Sequence, residues 1–437
     1  MNQRLHIRGA VLSFSAAPDP TTHAGVDYLE DAVVTTESGF IRDVLTPEQF
    51  VRDGGNLEHV RDVRPGLILP GFVDTHIHYP QMNIIGSYGR QLMDWLDNYA
   101  FPTELKFSSQ EFAKGQAETF MDRLAEVGTT TALTFTTVHP HSTDALFEAA
   151  HRRNARMIAG KVLMNRNGPD GLLDQGDGAQ VNEALLERWH GVGRLAYAVT
   201  PRFAITCSDT QLQAAGDLVA RYPDVYVHSH ISEHPDEVAA TMSLFPKAKD
   251  YADVYASFGL MTDHAVYAHG IHLSDEEMTR FREHGSSISF CPSSNLFLGS
   301  GLLSLERVAS FGVGLGVGSD VGGGTDFSLL ATIADGYKVA QLGGYSWHPF
   351  QAFHGITLAG AEVLHLQDRI GRVAAGYEAD MTVLRAQEGS MLAQRLEHTQ
   401  TLDEQLFAYM FVGTDNSVAE TYIAGQRQYS RDERVVS

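Results

Sequence analysis

Apolar residues along the chain gather into short, nearly continuous runs rich in β-branched side chains, separated by stretches with helical spacing. Eight such runs can be read: LILPGFVDTHIH (67–78), TTTALTFTTV (129–138), ARMIAGKVLM (155–164), LAYAVTPRFA (195–204), DVYVHSHI (224–231), HAVYAHG (264–270), SSISFCPS (286–293) and GVGLGVGSD (312–320). Continuous rather than alternating hydrophobicity predicts parallel strands covered on both faces. The intervening segments carry helix punctuation. Ser108 with Glu111, Ser208 with Gln211 and Ser274 with Glu277 fit capping boxes, and Gly128 and Gly285 sit where helices should end just before the next strand. Eight alternating β/α units predict a (β/α)8 TIM-type barrel over 67–375, with a doubly wound open sheet as the structural rival.

The two ends follow another rhythm. LHIRGAVLSF and DAVVTTESGFIRDVL within 1–66, and GYEADMTVL and SVAETYIAGQRQYS within 376–437, alternate and turn like antiparallel strands. They predict one small β-sandwich domain assembled from both termini.

With 437 residues, 43% hydrophobic and 20% charged, the chain reads as globular and long enough for a large core. A formal charge of −22 argues against nucleic acid and against an anionic membrane surface, leaving a compact small molecule as partner. Two cysteines, Cys207 and Cys291, allow neither a disulfide framework nor a CxxC motif, and the N-terminal stretch lacks an apolar export segment. These features predict a cytoplasmic protein.

Barrel chemistry gathers at the carboxyl ends of the strands. Here the first run ends in His76-Ile77-His78, the fifth in His228-Ser229-His230, the sixth in His269 and the eighth in Asp320. In an extended chain, residues i and i+2 share a face, so paired imidazoles can point together into the barrel mouth. Imidazoles and a carboxylate at the ends of apolar strands are costly unless paired or ligated. Together they form a donor set suited to Zn2+, with Fe2+ or Mn2+ also accommodated. Glu233, three residues past His230, is placed to take a proton from an activated water and return it to a nitrogen. HISEH (230–234) also matches the HxxEH pattern of inverted zinc peptidases, but that motif needs a helix, and Pro235 follows a β-rich run. The glycines of GVGLGVGSDVGGGTD match no nucleotide loop and predict close backbone packing around Asp320. Cys291 reads as an inert buried thiol.

PGFVDTHIH, SHISE, YAHG and GVGSD resemble the amidohydrolase superfamily of metal-dependent barrel hydrolases. THIHYPQ (75–81), LMDWLDNYAFPTE (92–104), TPRFAITCS (200–208), SHISEHPDEV (229–238) and CPSSNLFLGSG (291–301) look specifically like its guanine deaminase branch. The resemblance implies one Zn2+ per chain on His76, His78, His230 and Asp320. It makes Glu233 the proton shuttle and His269 a group orienting the attacking oxygen. It places Gln81, Arg202 and Phe203 against the purine and Trp95 in the pocket wall. It further implies guanine and water as substrates and a homodimer. A deaminase or chlorohydrolase of a triazine or of 8-oxoguanine would share the metal site. A non-catalytic binding protein on the same fold would need a lost ligand, and none is lost.

Overall fold

The computed structural model describes residues 4–89, 91–413 and 415–436. Among them, eight parallel strands run in sequence around a barrel: Phe72–His78, Thr129–Phe135, Arg156–Gly160, Leu195–Pro201, Tyr226–Ile231, Ala265–His269, Ser287–Phe290 and Gly314–Val317. Helices such as Gln110–Glu126, Pro140–Arg152 and Asp209–Arg221 return the chain between them. This is the (β/α)8 fold that the apolar runs predicted. Every residue of the first two strands is buried, which explains why their sequences show no alternation.

The strands are shorter than the runs that predicted them, mostly at their carboxyl ends. The fourth stops at Pro201, the seventh at Phe290 and the eighth at Val317. There the chain leaves the ladder and turns its polar residues over the barrel mouth. The first and eighth strands meet at a seam fastened by Asp320 N–H donating to His76 O at 2.9 Å. Glycine makes that approach possible. A Cβ on Gly318 would lie 2.8 Å from His76 Cβ, and one on Gly316 would lie 2.5 Å from the Thr75 side chain.

Two local expectations differ in detail. LILPGFVDTHIH is two strands, because Arg61–Pro70 joins the terminal sheet and the barrel begins at Phe72. The break is Gly71, where any Cβ would collide with the Thr130 side chain at 2.1 Å. The helix before the second strand is capped by Ser109, whose hydroxyl accepts from Phe112 N, whereas Ser108 donates to Leu105 O. Ser208 caps its helix through Gln211 N without the reciprocal half of the expected box, because the Gln211 side chain donates to Asp174; Ser274 and Glu277 form the full box, and Gly285 ends its helix with φ +70.

The terminal segments meet in one mixed sheet of seven strands rather than two facing ladders. Its order runs Gln426–Ser430, Val418–Ile423, Met381–Leu384, Arg61–Pro70, Leu5–Phe14, Val26–Glu37, Phe40–Leu45. Ile7, Val34, Ile68, Met381, Val383 and Tyr422 give it a core of its own. A buried charge network ties it to the barrel. Glu378 accepts from Arg156, which opens the third barrel strand, and from Arg194, which also binds Asp380. Removing one partner of a buried ion network strands the others. Glu378→Ala should therefore lower unfolding stability by about 3–5 kcal/mol, measured by urea denaturation, and a change under about 1 kcal/mol would show the network to be only surface-like.

Candidate active site

The polar strand ends converge at the barrel mouth. His76 and His78 close the first strand, His230 lies near the end of the fifth, His269 ends the sixth, and Asp320 follows the eighth by three residues. Ligand atoms of His76, His78, His230 and Asp320 all lie within 4.8 Å of one another. Asp320 Oδ1 is 3.2 Å from His76 Nε2 and 3.3 Å from His78 Nε2, and the Nε2 atoms of His78 and His230 are 3.1 Å apart.

Neighbouring hydrogen bonds decide which ring nitrogens face inward. His230 Nδ1 lies 2.6 Å from the carbonyl of Arg202, which can only accept, so Nδ1 carries the proton and Nε2 keeps its lone pair. His76 Nδ1 is engaged with His228 Nε2 at 2.7 Å, leaving a buried Nε2 that makes no hydrogen bond. Phe135, at the end of the second strand, stacks on His78 with centroids 4.6 Å apart. Burial lowers His76, lowers His78 to about 4, and holds His230 well below its ordinary value, so the rings are neutral. Burial would raise Asp320, but the facing imidazoles of His76 and His78 outweigh it and keep the carboxylate ionised. Three inward-facing imidazoles and a carboxylate packed this closely fit a divalent cation.

The remaining predicted residues surround this cluster. Glu233 is buried, with Oε2 3.4 Å from His269 Nε2 and Oε1 accepting from Ser300 Oγ at 3.2 Å. Burial pushes its carboxyl up to about 8. His269 Nδ1 meets Asn295 Oδ1 at 2.8 Å, and His269 Nε2 lies 3.9 Å from Asp320. Gln81, Trp95, Arg202 and Phe203 line the same cleft with His78, His230, Glu233, His269 and Asp320, walled by Leu92, Leu96 and Leu298. Ser232, His269 and Asp320 hold φ values of +50, +74 and +49, conformations that non-glycine residues adopt at a cost and that cluster at functional sites. Asp320 is followed by glycines that leave room for its neighbours. A Cβ on Gly322 would sit 2.4 Å from Gln81 Oε1.

The peptidase alternative fails on geometry. His230 belongs to a strand, and His234 is the N-cap of the helix Pro235–Leu244, accepting from Asp236 N, so the two rings share no helical face. Cys207 and Cys291 are both buried free thiols whose burial raises them, to about 12 for Cys207.

Several supporting residues lie inside the family-like stretches, yet the sequence alone assigns them no role. Asp74 accepts from the amides of His76 and Ser319, pinning both sides of the seam. Asn295 orients His269, and Glu104 bridges Gln81 and Arg202. Glu237 Oε2 accepts from the amides of Glu233 and His234 while Oε1 accepts from Tyr251 Oη at 2.6 Å, fixing the loop that carries Glu233. Burial lifts the Glu237 carboxyl from 4.5 to about 7. The fold thus favours its neutral form, a stabilisation complete below pH 4.5 and lost as pH rises through 7. Glu237→Gln keeps a carbonyl for the amides but cannot ionise. Its urea midpoint should fall less than the parent's between pH 4.5 and pH 7, and parallel curves would contradict this account.

Residues 67–427 match the Amidohydrolase family. The guanine deaminase of Escherichia coli strain K12 is 43% identical over 429 residues, 98% of each chain. A solved E. coli guanine deaminase superposes with a TM-score of 0.95 at 43% identity, covering 98% of this chain and all of that one. A guanine deaminase from C. acetobutylicum, solved with guanine bound in its active site, gives a TM-score of 0.88 at 27% identity over 98% of this chain and 100% of its own.

Proposed function

The chain belongs to the amidohydrolase family, and on that premise we propose that it hydrolyses guanine to xanthine and ammonia with one divalent metal, zinc, held by His76, His78, His230 and Asp320. The observation that carries the reading is a single cleft. His78, His230 and Asp320 of the candidate metal cluster line it together with Glu233, His269, Gln81 and Arg202, beside the apolar side chains of Leu92, Leu96 and Leu298. The activity of the similar enzymes supports guanine as the base that fills it.

When bound, the metal supplies Lewis acidity that brings the pKa of water down toward neutrality. Everything else falls to the side chains. Arg202 donates to the base, Gln81 engages it with its amide, and Phe203 and Trp95 border its flat face. His269 orients the attacking water toward C2, the carbon that bears the amino group. Glu233 takes the first proton from that water and delivers it to N3 as the C2–O bond forms. It then moves the hydroxyl proton at C2 to the amino nitrogen, the C2–N bond breaks, and ammonia leaves as the C2 carbonyl forms. Asp320 aids the first transfer. The protein acts in the cytoplasm as a homodimer, and among the described residues no helix is long and apolar enough to cross a membrane.

The test is direct. Purified, zinc-loaded protein is offered guanine, adenine, cytosine and ammelide, with ammonia and xanthine measured. Turnover of guanine well above the others is expected, and a protein inert toward guanine but active on another ring would overturn the assignment.

A further inference from the structure

Glu104 ends the short helix Phe101–Glu104, which follows a π-helical turn at Leu96–Ala100, and its side chain is 1% exposed behind the cleft wall. It is paired twice. One oxygen accepts from Gln81 Nε2 at 2.9 Å, and the other accepts from Arg202 Nη1 at 2.6 Å. Arg202 also lies over the Phe101 ring at 5.1 Å, so its guanidinium is held from two directions.

A carboxylate only accepts, whereas a glutamine amide has one accepting and one donating end. Pairing with Glu104 therefore commits the N–H end of Gln81 away from the cleft and leaves Oε1 to face it. The same carboxylate engages one guanidinium nitrogen of Arg202 and leaves its other N–H groups to donate. The cleft then presents a fixed acceptor beside a fixed donor. We infer that Glu104 is a positioning residue that sets base selectivity, by locking Gln81 and Arg202 into an acceptor–donor pair that reads the N1–H and C6=O edge of an oxopurine. A 6-aminopurine edge has the opposite order, a lone pair at N1 and N–H at the six-position. It would face oxygen with a lone pair and guanidinium with a donor. Buried polar groups left unpaired in this way discriminate far more strongly than a missing methylene.

This inference rests on guanine being the substrate. The experiment compares kcat/KM for guanine with that for 2,6-diaminopurine, which keeps the 2-amino group but reverses the six-position edge, in the parent and in Glu104→Gln. A glutamine at 104 can donate to Gln81, so the Gln81 amide is free to turn. The ratio of diaminopurine to guanine activity is expected to rise by about tenfold or more, mainly through a higher KM for guanine, with metal content unchanged. A fall in both activities at constant ratio, or no change in either, would overturn the role of Glu104. If Glu104→Gln does not fold, Glu104→Asp retracts the carboxylate by one methylene and should move the ratio in the same direction; an unchanged ratio there overturns the inference equally. A parent protein that releases no ammonia from guanine overturns the substrate reading itself, and this is seen before any variant is compared.

Discussion

Glu233→Gln is expected to lower kcat by roughly 10²–10⁴-fold, the range for loss of a positioned proton carrier, while metal content stays at the parent level. The amide matches the carboxylate in shape and still accepts from Ser300 Oγ, so the loop and the cluster should remain intact. What it cannot do is accept a proton and return it. The groups beside it are committed elsewhere: His269 Nδ1 is tied to Asn295, and Asp320, which aids only the first transfer, also faces His76 and His78. Elemental analysis alongside ammonia release separates the outcomes. A variant with full metal and more than about a tenth of parental turnover would remove Glu233 from the proton path.

His76→Ala should act on the other half of the machinery. His76 is wholly buried, anchored by His228 through one nitrogen and directing the other into the cluster. Its loss removes one of four donors and opens a void beside Phe135, whose ring lies 5.3 Å away. Metal content should collapse and activity fall by roughly 10³-fold or more, because water without a Lewis acid keeps a pKa of about 15.7 instead of about 7. Parent protein stripped by a chelator should lose activity as fully and regain it when Zn2+ is restored, whereas the variant should not. Full metal occupancy in His76→Ala would mean that the cluster binds its ion elsewhere.

The contrast between what could and could not be read in the sequence follows from distance along the chain. The barrel was legible because each buried parallel strand is a continuous apolar run, and a histidine or aspartate closing such a run stands out against it. Glu233 was legible because it lies three residues from a ligand. Glu104 was not: its partners Gln81 and Arg202 lie 23 and 98 residues away, and nothing in FPTE marks the glutamate as buried. Asn295 likewise reaches His269 across 26 residues, and although CPSSNLFLGSG carries the family resemblance, nothing in it singles out the asparagine. The break at Gly71 was hidden because strands on either side of it are equally apolar. The need for glycine there shows only in three dimensions, where the Thr130 side chain of the next barrel strand leaves no room for a Cβ.

The terminal sheet has a consequence for how the chain comes into being. Arg61–Pro70 pairs on one side with Leu5–Phe14, made just before it, and on the other with Met381–Leu384, made near the end. Arg61 and its partner Glu420 are 359 residues apart. Throughout synthesis of the barrel, one edge of this strand therefore waits with its backbone groups unpaired, and Met381, Val383, Ala419 and Tyr422 of its apolar cluster are not yet made. Such an edge is a template for pairing with another nascent chain. Barrel closure and final protection of the molecule are thus separate events in time, and the interval between them is when a crowded ribosome or an overexpressing host would turn product into aggregate.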